Sequence, residues 1–174
     1  MSDTAAVSGL FLFRRVDARA LHELCILAPP VDFPAGVTLF EQGAKSDVAL
    51  LLVSGALDVE VEGAGARRTV GKVNPGEIVG ETALFAKAGV RNATVRAIQP
   101  SQCLLLNREV LERGNQNPAI VAIEQHLLAT LARRIRRTNQ EITKIWKEQE
   151  TAEPAPDASG SLVDKLKSLF GGDR

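Results

Sequence analysis

Between Val31 and about Leu106 the chain is a succession of short apolar runs separated by glycines, and this texture most constrains its fold. The runs cover residues 37–40, 48–53, 56–61, 69–73, 93–98 and 103–106. Gly36, Gly43, Gly55, Gly63, Gly65, Gly76 and Gly89 fall between them, where a turn with positive φ is cheap for a residue without a Cβ. Each run is about one strand long. Many short strands at such spacing predict an antiparallel sandwich or barrel. Two stretches inside this region, GETALF at 80–85 and AGVRN at 88–92, break the alternation.

Helices are expected on either side. DARALHELCIL at 17–27 places Leu21, Leu24, Cys25 and Leu27 on one face behind an N-cap candidate, Asp17; Phe11 and Phe13 are expected to pack beside it, and Pro29 and Pro30 to stop it. Asn107 offers a cap for a short helix, and Asn117 with Pro118 opens a longer one, about 118–150. Along that helix Leu128, Leu131, Ile135, Ile142 and Ile145 follow a three-four alternation, with Thr138 where an aliphatic residue is missing. A heptad seam with one polar position predicts burial against a second copy, since so long a helix overhangs a small barrel. The arginines of RRIRR alternate with the seam and read as solvated flanks. Residues 151–160 are linker by composition. In 161–174, Leu162, Val163, Leu166, Leu169 and Phe170 share one helical face before Gly171, a candidate docking face too short to be stable alone.

A chain of 174 residues, 45% hydrophobic, buries one full core, so residues 1–150 are expected to form one domain. Its 21 basic and 21 acidic side chains leave no overall field to draw it to nucleic acid or an anionic membrane. Cys25 and Cys103 lack the paired spacing of a zinc or redox site and read as buried thiols of a reducing compartment. The N-terminus has no basic region ahead of an apolar stretch, and nowhere is there a run long enough for a membrane span, so a cytoplasmic protein is expected. His22 and His126 stand alone, without the histidine cluster of a metal-binding barrel, and no nucleophile lies in recognisable spacing to either. No metal, cofactor or catalytic residue is expected, and the chain does not read as an enzyme.

Leu39, Phe40, Gln42 and Gly43 within VTLFEQGAKSDVALLLVSGALDV, followed by NPGEIVGETALF and then VRNATVRA, resemble the cyclic nucleotide-binding domain across almost all of residues 11–150. The resemblance implies a β-jelly roll with flanking helices, mainly β, followed by a long dimerising α-helix. It implies a ligand cassette in which Gly80 and Glu81 form a turn, residues 82–85, with Thr82 and Ala83, a short helix, and Arg91 the anion-binding arginine. LARRIRRTNQEI is similar to the dimerising helix of bacterial catabolite activator proteins, which places Thr138 and Asn139 at the adenine edge. Asn92 stands where that family usually has alanine, serine or threonine, a departure that bears on purine choice.

The chemistry of these residues fits the implied ligand. A cyclic phosphate carries one negative charge and needs donors in place of water; backbone N–H groups at a glycine turn supply them, and Arg91 adds a charge that is never lost. Glu81, acceptor-only when ionised, suits a ribose 2′-hydroxyl. Read without the resemblance, Glu81 and Arg91 also fit an ordinary ion pair at a hairpin end.

The expectation is a dimeric sensor of cAMP, or secondarily cGMP. Few residues follow the long helix, so no DNA-reading domain is expected within this sequence, and the signal is expected to reach a protein partner through the segment at 161–174. Its lysines and aspartates balance, which favours a protein over a membrane surface. The rival reading is a nucleotide-independent dimeric scaffold built on the same fold.

Overall fold

The computed structural model describes residues 3–63, 65–85 and 89–152, and the chain divides into two units, Met1–Leu131 and Ala132–Arg174. The segment bearing Leu162, Val163, Leu166, Leu169 and Phe170 lies outside the described residues.

Two four-stranded antiparallel sheets form the first unit. One has the order β1 (Pro30–Phe33), β8 (Ser101–Leu106), β3 (Ala49–Ser54), β6 (Ile78–Val79); the other runs β2 (Thr38–Phe40), β7 (Thr94–Ala97), β4 (Leu57–Gly63), β5 (Ala66–Val73). Flanking helices are α1 (Asp3–Ser8), α2 (Ala18–Leu27), α3 (Glu81–Phe85), α4 (Arg108–Arg113) and α5 (Pro118–Ala152). This is the double-sheet arrangement of a jelly roll.

Strand β3, ALLLVS, is apolar on both faces because it has two neighbours to bury against. Leu50 and Leu52 point between the sheets, where they join Cys103, Leu57, Val95 and Ala97. Ala49, Leu51 and Val53 point the other way, into a second core with Phe13, Leu21, Leu24, Ile120 and Ile123 from the helices. Strand β4 alternates instead: Leu57 and Val59 face the inter-sheet core, while Glu60 pairs with Arg67 at 3.6 Å. Burial pushes the Cys103 thiol up to about 12.

The caps are made by the expected residues. Asp17 accepts from the N–H of Ala20 at 2.9 Å, and Asn107 from that of Val110 at 2.8 Å. Asn117, 8% exposed, accepts from Ala119 N–H at 2.8 Å and donates to the carbonyl of Ala20 and to Glu23, so it joins α5 to α2 as well as capping α5.

Two expectations are corrected. Phe11 does not pack beside α2; it is 75% exposed beneath the Arg14 guanidinium, while Phe13 alone enters the core. Gly63 is the last residue of β4 rather than a positive-φ turn position. Among the described residues no helix is long and apolar enough to cross a membrane.

Candidate ligand site

The site begins at Gly80, whose φ of 81° lies in the left-handed region. A Cβ there would run into the Arg91 guanidinium and come within 2.7 Å of Phe40, so only glycine fits both the backbone and the space. Helix α3 starts at the next residue with Glu81, which is 3% exposed. Leu84 anchors the helix in the core, and Arg108 of α4 donates to its carbonyl at 3.0 Å.

Arg91 is 4% exposed, and its backbone is clasped by the loop after β2. Arg91 N–H donates to Ala44, Gly43 N–H to Arg91, and Ser46 N–H to Gly89, with Lys45 and Val90 bridged between them. The loop is itself tied down by Gln42. Its backbone N–H donates to Thr94, while its side chain bonds both the N–H and the carbonyl of Glu62.

The guanidinium donates through Nη1 to the Gly80 carbonyl at 3.0 Å and through Nη2 to Ser46 Oγ at 2.7 Å and to the Val48 carbonyl. Its Cζ lies 3.4 Å from the centroid of the Phe40 ring. Nε is buried and has no hydrogen-bond partner. Desolvation lowers the affinity of Arg91 for its proton, while the charges of Asp47 and Glu81 act the other way; with an ordinary value so far above neutrality the side chain stays cationic. A cavity of about 510 Å³ borders it, lined by Phe33, Phe40, Lys45, Ser46 and Leu50 among others, within the roughly 300–1,000 Å³ of small-molecule pockets.

Of the residues singled out in the sequence, Gly80, Glu81 and Arg91 come together, the two charged side chains buried and Gly80 half-buried. Thr82 and Asn92 are at the surface beside it, and Ala83 is the third residue of α3. Thr138 and Asn139 lie exposed on α5 within the second unit. Leu128, Ile135, Ile142 and Ile145 are exposed on the same helix, with Leu131 half-buried. Phe40, Ser46 and Val48 contact Arg91 directly; the sequence marks Phe40 only as part of the family motif, and Ser46 and Val48 not as site residues. A serine hydroxyl and a backbone carbonyl more than forty positions away leave no periodic signal.

The double-sheet jelly roll thus carries a glycine–glutamate turn hydrogen-bonded to a buried arginine. Residues 30–115 match the model of the cyclic nucleotide-binding domain. Over 151 residues the chain is 28% identical to a CRP-like cAMP-activated global transcriptional regulator of Mycobacterium tuberculosis, covering 83% of this chain and 63% of the relative. It therefore spans less than two thirds of that regulator's length. Among solved structures it is similar to the catabolite activator protein of Thermus thermophilus, with 27% identity, a TM-score of 0.65, and coverage of 77% of this chain and 62% of that one. It is also similar to a cAMP-binding acyltransferase of Mycobacterium smegmatis, at 26% identity and a TM-score of 0.58 over 73% of this chain and 41% of that one.

Proposed function

We propose that the chain is a cytoplasmic cyclic nucleotide sensor, with cAMP its first ligand and cGMP its second, and that it regulates rather than catalyses. The observation that carries this is the convergence of the buried Glu81 and Arg91 side chains at the half-buried Gly80 turn. A cation and a carboxylate, each nearly inaccessible, are held against a glycine turn within a domain of the matching family. The cyclic phosphate would take the turn's N–H groups and the remaining N–H donors of Arg91; the ribose 2′-hydroxyl would donate to Glu81. The names of the relatives, cAMP-activated and cAMP-binding, support cAMP as first candidate.

The exposed stripe of Ile135, Ile142 and Ile145 supports a homodimer formed through this helix. A ligand that binds one conformational state better than another shifts their balance, and that difference is the signal. The amphipathic pattern at 161–174 supports transmission to a protein partner. Equilibrium dialysis of the folded, nucleotide-free protein against labelled cAMP and cGMP tests the reading: saturable binding is expected, and none with either overturns it.

A second reading has its own observation. Three of the five guanidinium donors of Arg91 are already taken by the protein and one face is covered by Phe40, so the arginine is largely satisfied without any ligand. That is what a nucleotide-independent scaffold on the same fold would show. Absence of nucleotide binding together with an intact dimer would favour it.

A further inference from the structure

We propose that Phe40 and Ser46 are positioning residues for Arg91: the phenyl ring fixes the plane of the guanidinium, and the serine hydroxyl fixes its rotation within that plane. The inference deepens the nucleotide-sensor reading and rests on it for its ligand-binding consequence, though the positioning itself does not require a ligand.

A guanidinium is a flat fork, and its usefulness to an oxyanion depends on where its remaining N–H groups point. Here one face is covered by Phe40 at 3.4 Å to the ring centroid, which removes freedom to tilt. Nη2 donates to Ser46 Oγ at 2.7 Å and to the Val48 carbonyl, which removes freedom to turn. Nη1 donates to Gly80, which sets the fork against the turn. The fork's direction is thus fixed by groups on β2 and the loop after it, and Nε is left without a protein partner.

Both positioning side chains are held by their own surroundings. Phe40 is a residue of β2, in register with Val95 of β7, and packs in the inter-sheet core. Ser46 is fixed through its backbone bond to Gly89 and by the Val48 N–H, which donates to its hydroxyl at 3.3 Å. Gly80 completes the arrangement, because any side chain there would push Phe40 and Arg91 apart.

The test uses Phe40→Leu, Phe40→Tyr and Ser46→Ala in the full chain, with two readouts. Without nucleotide, the side-chain N–H resonances of Arg91 in isotope-labelled protein are expected to be displaced upfield by the ring current, to stay displaced in Phe40→Tyr, and to return towards ordinary positions in Phe40→Leu. Undisplaced resonances, unchanged by Phe40→Leu in a protein that still folds, overturn the positioning. With nucleotide, the probes are the two phosphorothioate diastereomers of cAMP, in which sulfur replaces one or the other exocyclic oxygen. Phe40→Leu and Ser46→Ala are expected to weaken cAMP by about 3- to 30-fold and to shrink the ratio between the diastereomers, because a misaimed fork discriminates the oxygens less. Phe40→Tyr should restore the ratio. A general loosening of the fold would weaken both diastereomers equally and leave the ratio unchanged, which overturns the claim. Displaced resonances in a protein that binds neither diastereomer nor cAMP would instead sink the sensor reading and leave the positioning intact.

Discussion

Arg91 donates through Nη1 to the carbonyl of Gly80 at 3.0 Å, so the arginine and the turn eleven residues before it form one hydrogen-bonded unit. The residues between them include α3, whose Leu84 is anchored in the core. Whatever binds the turn must therefore also sense the arginine.

Gly80→Ala should disturb both parts of that unit. The left-handed backbone alone costs a residue with a Cβ roughly 1–2 kcal/mol, and the added methyl meets Phe40 and Arg91. Urea unfolding is expected to show a loss of that size or somewhat more, together with loss of nucleotide binding. A variant as stable as wild type with unchanged binding would mean that the turn can relax without penalty.

In the proposed site Glu81 accepts from the 2′-hydroxyl, which makes the deoxy ligand a selective probe. In the wild type, 2′-deoxy-cAMP should bind more weakly than cAMP by roughly 1–3 kcal/mol, because a buried carboxylate loses its donor. In Glu81→Ala the two ligands should bind alike, since the partner that discriminated them is gone. An equal penalty in both proteins, measured by competition, would move the 2′-hydroxyl contact elsewhere.

Asn117 makes a prediction about the scaffold alone. Its amide caps α5 and ties it to α2 at a site 8% exposed, so Asn117→Ala removes a cap and leaves buried backbone groups unpaired. Thermal unfolding should show a loss of about 1–3 kcal/mol. Asn117→Ser, which keeps an acceptor that can cap α5 but not the donor to Ala20 and Glu23, should fall between.

The dimer prediction turns on side chains that the single chain leaves in water. Ile135 is 62% exposed and Ile142 39% exposed, so Ile135→Asp and Ile142→Asp should cost the monomer fold little. In sedimentation equilibrium the wild type is expected to be a dimer and the double variant a monomer. A wild type that stays monomeric at high concentration removes the helix seam from the account.

Much of this architecture is legible in the sequence where a local signal exists. Turn glycines bound β2, β3, β4 and β5 to within a few residues, β7 and β8 show only as apolar runs, and Asp17, Asn107 and Asn117 mark their helices through a short polar side chain that can reach its own backbone. Strand β1 escapes because Pro29 and Pro30 read only as a helix stop; Pro30 is tolerated in a strand that sits at a sheet edge, paired on one side with β8. Strand β6 has only two residues and α1 six, too few for a period to show. At the site, Gly80, Glu81 and Arg91 are recognisable because their spacing is carried by a motif. The partners of Arg91 are not, because Phe40, Ser46 and Val48 reach it through tertiary folding, from one strand and the loop that leaves it.

On the proposed function, Arg91 belongs to a working cyclic nucleotide site. Calorimetric titration of the nucleotide-free protein with cAMP and cGMP, beside Arg91→Lys and Arg91→Ala variants shown to be folded, tests it most directly. Micromolar or tighter binding is expected in the wild type, strongly weakened in Arg91→Lys because an ammonium cannot reproduce the fork, and abolished in Arg91→Ala. Equal binding by wild type and Arg91→Ala, or no heat with either nucleotide in a folded wild type, would contradict it.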